Sequence, residues 1–312
     1  MQQQRQRFAL LTLLMIIILG SADLLAAPKQ DRDTKHDPQT ETIHVLWVGN
    51  SYSFAGPLPN VVQTLMTEGK TKYRMEFGKS FMGGKGYKYH VEDGKAMKKI
   101  AEGWKDEDGN SGAWDYVVLQ NKSWGPVSQQ DEMREYGKIL ADAAQAVGAE
   151  PIYYCTWAKR HHPEQAQTIF DVYQELADTN GGKVAPAGQA WKLVYETADK
   201  HGIELYRFDR SHPSSWGVYL NACVFYATLT GESPVGLKLR KVSPWKTTER
   251  YTKAHLKNRP GLKLTEKDLY NGERTLSKKE INLLQKAAWK AVQSQQKLSE
   301  SEKKREAETV AP

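Results

Sequence analysis

Cysteine is scarce in this 312-residue chain, with Cys155 and Cys223 as the sole pair. Two cysteines cannot build the multi-disulfide framework on which small secreted domains depend. Both sit in apolar runs that read as a strand and a helix, so buried free thiols are expected. A disulfide between them stays open, because export would permit one. Zinc-finger spacing and a Gly-rich phosphate loop are both missing, and no internal repeat occurs. The pair His161-His162 lacks further ligands at metal-binding intervals and reads as an exposed loop, with no metal site expected. Beyond residue 19 no apolar run is long enough to span a bilayer, which takes roughly 20 residues. The length favours one large domain with appendages.

The first residues read as an export signal. Arg5 and Arg7 precede the run Phe8 to Leu19, and small residues follow at Gly20, Ala22, Ala26 and Ala27. This is the pattern of an export signal over 1–27, with the cut open between Ala22 and Ala27. An uncleaved N-terminal anchor is the alternative. The chain is thus expected to be exported, to the periplasm or the extracellular space. Residues 28–42 are polar and aperiodic, and read as a linker.

The net charge is +7, but it is uneven. From Leu237 onward there are 19 Lys/Arg against 9 Asp/Glu, which leaves residues 28–236 slightly acidic. A basic C-terminal part could make peripheral contact with anionic surfaces; a solvated Lys/Glu-rich face is the simpler reading. No nucleic-acid partner is expected.

Between residues 43 and 230, strand and helix patterns alternate. Ile43 to Gly49, Tyr73 to Phe77, Asp115 to Gln120, Pro151 to Trp157 and Glu204 to Arg207 read as five strands. Helices are expected over 58–68, 91–104, 129–147, 164–179, 187–200 and 214–230. Such alternation implies an α/β fold, a three-layer α/β/α sandwich with about five parallel strands. Residues 237–276 break the pattern and read as a basic insertion. A helix from Ser277 to Val292 follows, with Ser277 and Glu280 as a capping box, and 297–312 reads as a charged tail. The ordered domain is expected over 43–296.

Two segments carry chemistry. Gly49-Asn50-Ser51-Tyr52-Ser53 follows the first strand, where a serine can be exposed with its own N–H facing an oxyanion. Ser53 is a competing hydroxyl. Asp209-Arg210-Ser211-His212-Pro213 follows the expected fifth strand. A D-x-x-H spacing lets the carboxylate hold one ring nitrogen and leaves the other free as a base. Either segment alone is an ordinary turn. Together they supply nucleophile, base and orienting acid at the carboxyl ends of strands in one sheet, where α/β folds place their sites.

These segments, GNSYS and the later DRSHPSSWGVYLNA, resemble the first and last signature blocks of the SGNH (GDSL-type) hydrolases. The likeness spans roughly residues 43–236 and is nearest to the GNS-type branch that contains carbohydrate esterases. It implies the flavodoxin-like strand order 2-1-3-4-5, with Ser51 as nucleophile, His212 as base and Asp209 as its partner. It implies an oxyanion hole built from the N–H groups of Ser51 and Gly84, with Gly83 and Gly86 as alternatives for the latter. The third block departs from the family's G-x-N-D pattern and reads Leu119-Gln120-Asn121. Gln120 is the first choice for the side-chain donor and Asn121 the second. The implied activity is ester hydrolysis without a cofactor, with O-acetyl groups on polysaccharide as the leading substrate. A lipid or short-chain ester is an alternative, as is a non-catalytic polysaccharide- or envelope-binding module on the same fold. Trp124, Trp157 and Trp216 read as core, with a sugar-binding face as the alternative.

Overall fold

The computed structural model describes residues 40–69, 71–197, 200–242 and 274–310. The expected export signal, most of the expected linker and residues 243–273 of the basic insertion lie outside the described residues.

The first strand, β1 (Glu41–Gly49), leads into a short helix α1 (Ser51–Phe54) and then α2 (Leu58–Glu68). Next come β2 (Tyr73–Phe81), α3 (Tyr87–Glu92) and α4 (Lys95–Glu102). A small antiparallel pair, β3 (Trp104–Lys105) and β4 (Ser111–Gly112), precedes β5 (Tyr116–Leu119). Then follow α5 (Gly125–Ser128), α6 (Gln130–Ala146), β6 (Glu150–Tyr154), α7 (Ala166–Asn180), β7 (Lys183–Ala185) and α8 (Ala187–Tyr195). The chain closes with α9 (Ser215–Thr230), the pair β8 (Lys241–Val242) and β9 (Arg274–Thr275), and α10 (Lys278–Val310).

The central sheet is parallel throughout, in the order β2-β1-β5-β6-β7. Counted along the sheet's own strands this is 2-1-3-4-5, the expected three-layer α/β/α architecture. Strand pleating sends alternate side chains to opposite faces. Val45, Trp47, Val118, Ile152 and Tyr154 join one core, with α2, α8, α9 and α10. Leu46, Val48, Val117, Leu119 and Tyr153 join the other, with α3, α4, α6 and α7. Both faces are covered, which is why these strands read as unbroken apolar runs. Helix α9 is apolar on every side, and thirteen of its sixteen residues are buried. It sits inside a layer closed by α10, and Gln285 of α10 donates to the Tyr219 hydroxyl at 2.8 Å and to the Leu237 carbonyl at 2.9 Å.

Several expectations need correction. The fifth strand is Lys183–Ala185, not Glu204–Arg207. Residues 204–207 instead fold back on the D-x-x-H segment: Tyr206 bridges Pro213 in antiparallel fashion, and Arg207 N–H donates to the His212 carbonyl at 2.9 Å. The helix expected over 91–104 is two helices, broken at Gly94, whose φ of 74° lies in the left-handed region that glycine tolerates. The last helix does not stop at Val292 but continues through the expected tail to Val310. Strand β1 starts at Glu41, inside the expected linker, where Glu41 already pairs with Tyr73. The Ser277–Glu280 capping box is present: Ser277 N–H donates to Glu280 at 2.6 Å, and Glu280 N–H to Ser277 Oγ at 3.2 Å.

Cys155 and Cys223 lie in the two different cores, on opposite faces of the sheet. Burial pushes both thiols well above the usual range. The native protein should therefore resist Ellman's reagent, while the unreduced, guanidinium-unfolded chain should release two equivalents of thiol. Fewer than two would mean that the cysteines pair.

Candidate active site

Gly49 ends β1, and Asn50 turns the chain into α1. Asn50 is extended, and its Oδ1 accepts from Tyr52 N–H at 3.1 Å, a side-chain cap that sets the helix start immediately after it. Ser51 is thus the first helical residue, just past the strand. Its N–H precedes the repeating helical bonds and has no acceptor among the described residues.

The turn fits tightly around Gln120. A Cβ on Gly49 would sit 2.7 Å from Gln120 Oε1, so this position demands glycine. Gln120 Oε1 accepts from Asn50 N–H at 2.9 Å and from Ser53 Oγ at 3.1 Å, and its amide nitrogen donates to the Asn121 carbonyl. The Gly49 carbonyl accepts from His90 Nε2 at 3.0 Å, which fixes the proton on that nitrogen. Burial lowers the pKa of His90, partly offset by this bond, and so favours the neutral ring.

Asp209 and His212 occupy the tip of the loop that runs from Leu205 to Ser214. Ser214 N–H donates to the Leu205 carbonyl at 2.8 Å and closes the loop at its base. Arg210 has a φ of 59°, the one value in the left-handed region outside glycine among the described residues. For a residue of this kind that conformation costs on the order of 1 kcal/mol. It lets the chain turn sharply enough for Asp209 to receive three bonds. Asp209 Oδ1 accepts from the N–H groups of Ser211 and His212 at 3.0 and 2.9 Å. Oδ2 accepts from His212 Nδ1 at 2.6 Å. The carboxylate is 2% exposed. Burial alone would raise its pKa, but the hydrogen bond and charge of His212 and the two N–H groups outweigh that. They hold it well below the usual carboxylate range.

With Nδ1 donating to a carboxylate, the neutral His212 ring presents a lone pair at Nε2. That atom lies 2.7 Å from Ser51 Oγ. Ser51, His212 and Asp209 therefore form one continuous hydrogen-bonded chain. Ser53, the competing hydroxyl, is 1% exposed and bound to Gln120.

An aromatic column supports this chain from below. Tyr52 stacks on Trp157 at 4.7 Å, and Trp157 stacks on Trp191 at 3.9 Å. The Tyr52 hydroxyl meets Ser211 Oγ at 2.6 Å, and Trp157 Nε1 donates to the Ser211 carbonyl at 2.9 Å. The Tyr52 ring also meets His212 edge-on at 5.3 Å. Each such aromatic pair contributes about 0.5–1.5 kcal/mol beyond its buried area. The sequence reading missed this role of Tyr52 and Trp157, although Tyr52 stands beside Ser51.

A cleft of about 420 Å³ opens above Ser51 and His212. Gly84 lines it, with a φ of 69° and open space where a Cβ would project. Its N–H has no acceptor among the described residues. Gly83 and Gly86 do not line the cleft. Gln120 and Asn121, expected as side-chain donors, are buried below it. Asn121 Oδ1 accepts from the N–H groups of Tyr87 and Lys122 at 3.0 and 2.9 Å, and a Cβ on Gly86 would collide with it. These two amides fasten the turns that shape the cleft floor instead of facing its interior. Of the tryptophans, Trp124 is 45% exposed and lines the cleft, Trp157 is core, and Trp216 donates to Glu280 at 3.0 Å. His161 and His162 also line the cleft, and no cluster of potential metal ligands occurs among the described residues.

No protein-family model and no curated protein matches the chain. Among solved structures, a putative SGNH hydrolase from Slackia heliotrinireducens aligns at 24% identity and a TM-score of 0.48, over 61% of this chain and 100% of its own. The acetyl xylan esterase AlAXEase aligns at 20% identity and 0.46, over 60% and 100%. The acetylxylan esterase Axe2 from Geobacillus stearothermophilus, in a catalytic mutant form, aligns at 13% and 0.46, over 64% and 100%. At these identities and TM-scores the similarity assigns no chemistry to this chain.

The depressed pKa of Asp209 fixes the sign of a pH effect. Its stabilising contribution is complete above the ordinary carboxylate pKa of about 4 and is lost as pH falls below it. Urea denaturation of wild type and Asp209→Asn should show a stability gap that is constant from neutral pH to about 5 and narrows below about 4. A gap that widens on acidification would contradict the assignment of the charged form to Asp209.

Proposed function

We propose that this chain is a serine ester hydrolase of the SGNH type, with Ser51 as nucleophile, His212 as general base and Asp209 as the orienting carboxylate. The observation that carries the reading is the pair of contacts at His212: 2.7 Å to Ser51 Oγ and 2.6 Å to Asp209 Oδ2, beside an open cleft.

In the proposed reaction Ser51 Oγ attacks the ester carbonyl carbon as His212 Nε2 takes its proton. The carbonyl oxygen becomes an oxyanion, and the N–H groups of Ser51 and Gly84 receive it. A donor of this kind is worth about 3–4 kcal/mol of barrier. The tetrahedral species collapses, the C–O bond to the alcohol breaks, and His212 returns its proton to the leaving oxygen. Water then attacks the acyl-serine with His212 again as base, releasing the acid and restoring Ser51. Asp209 keeps Nδ1 protonated throughout and stabilises the imidazolium. Gln120 and Asn121 act as positioning residues, holding the Asn50–Ser51 turn and the neighbouring loop.

The substrate reading is an O-acetyl ester on carbohydrate. The exposed indole of Trp124 offers a flat face for a sugar ring, and the cleft wall carries Lys122, Lys159, His161 and Arg210. These cationic and imidazole groups can meet the hydroxyls and ring oxygens of a carbohydrate ester. The patterned N-terminal segment supports export. No helix among the described residues is long and apolar enough to cross a membrane. A binding module without catalysis is favoured by one feature, the burial of both third-block amides.

Hydrolysis of p-nitrophenyl acetate separates these readings. Wild type should turn it over, Ser51→Ala should fall to background, and Asp209→Asn should lose about 10⁴ in kcat. Equal rates for wild type and Ser51→Ala would point to the binding module.

A further inference from the structure

The cleft that holds the Ser51–His212 pair is lined by several cationic side chains, and their charges are unequally matched. Lys122 is paired with Glu132 at 2.7 Å, and His162 with Glu164 at 3.1 Å. Lys159 and Arg210 have no carboxylate partner among the described residues. Arg210 donates to His161 Nε2 at 3.0 Å, a contact with a ring nitrogen and not with an anion. Lys159 Nζ lies 5.7 Å from the centre of the Trp124 ring, and Lys122 Nζ lies 6.0 Å from it. The one carboxylate that lines the cleft, Asp209, is buried and committed to His212. The lining thus holds two cations without a carboxylate partner against one buried carboxylate, and a cleft focuses the field of its charges on the ligand that enters it.

We infer that the ester is borne by an acidic saccharide: the site takes O-acylated polysaccharide whose acylated sugar, or the one next to it, carries a carboxylate. The inference rests on the carbohydrate esterase reading above and narrows its substrate class. The sugar ring lies on Trp124 and the carboxylate meets Lys159 and Arg210. A planar carboxylate matches the guanidinium fork of Arg210, and Lys159 adds a point charge next to the indole. This places the anion within the same cleft as the scissile ester. A neutral sugar would leave both cations without a counter-charge.

The test uses the full chain carrying Ser51→Ala, so that binding is read without turnover. Calorimetry would compare partially acetylated polygalacturonate, acetylated xylan and sulfated xylan at low and high salt. The polyuronate should bind at least about tenfold more tightly than acetylated xylan at low salt, with the preference shrinking as salt screens it. Adding Lys159→Glu or Arg210→Gln should reduce that preference several-fold in a protein whose circular dichroism is unchanged. Equal or tighter binding of acetylated xylan, or a preference that survives both substitutions together in a folded protein, would overturn the inference. Tighter binding of sulfated xylan than of polyuronate would overturn the carboxylate assignment. Turnover of p-nitrophenyl acetate by wild type reads the esterase proposal separately. Turnover without anion preference defeats this inference alone, whereas absence of turnover in wild type defeats the esterase reading and, with it, the assignment of the bound anion to an ester substrate.

Discussion

A carboxylate removed from water is costly unless it is fully bonded, and the loop between Leu205 and Ser214 is built to meet that demand at Asp209. Two backbone N–H groups and the His212 ring surround the carboxylate. To supply them the chain must reverse within three residues, and Arg210 accepts a left-handed conformation to allow it. Once Asp209 is so bonded, the tautomer and the plane of His212 follow, and with them the direction of its Nε2 towards Ser51. The strain at Arg210 is small against the cost of an unpaired buried charge.

The rest of the fold brings two separate segments to that loop. Parallel strands β1 and β5 are neighbours at the centre of the sheet, and the chain leaves them in opposite directions. The crevice above their carboxyl ends is where such sheets accommodate ligands. Ser51 leaves β1 there, while Gln120 and Asn121 leave β5 and fasten the turns by buried amide bonds. The Tyr52–Trp157–Trp191 column then carries the loop bearing Asp209 and His212 on a rigid support that reaches into the core. The rigid floor contrasts with a cleft wall made of long cationic side chains and one exposed indole.

Much of this was legible in the residues. Unbroken apolar runs marked the three inner strands β1, β5 and β6, because strands covered on both faces need them, and the edge strand β2 was read over Tyr73 to Phe77 although Arg74 and Glu76 interrupt it. Ser51 stood out by its place after β1, and Asp209 and His212 by a spacing that lets one group hold the other. The edge strand β7 was not legible: three residues are too few for a period to show. The run Glu204 to Arg207 looked like a strand, yet its partner is the local segment Pro213 and not the sheet, a choice that depends on tertiary bonds. Arg210 carries no signal of its positive φ, since asparagine or glycine is the usual mark. Gln120 at a strand end could face a ligand or the interior with equal ease by sequence. Gly49 settles it only once the close approach of the two chains is seen.

The central claim is that Ser51 is an activated nucleophile. It is tested most directly by treating folded wild-type protein with a fluorophosphonate and locating the adduct by peptide mass spectrometry. The account predicts one phosphonyl group per chain, on Ser51, and none when the protein is unfolded before treatment. An unlabelled folded protein, or a label on Ser53 or on Ser123, which also lines the cleft, with Ser51 unmodified, would contradict it.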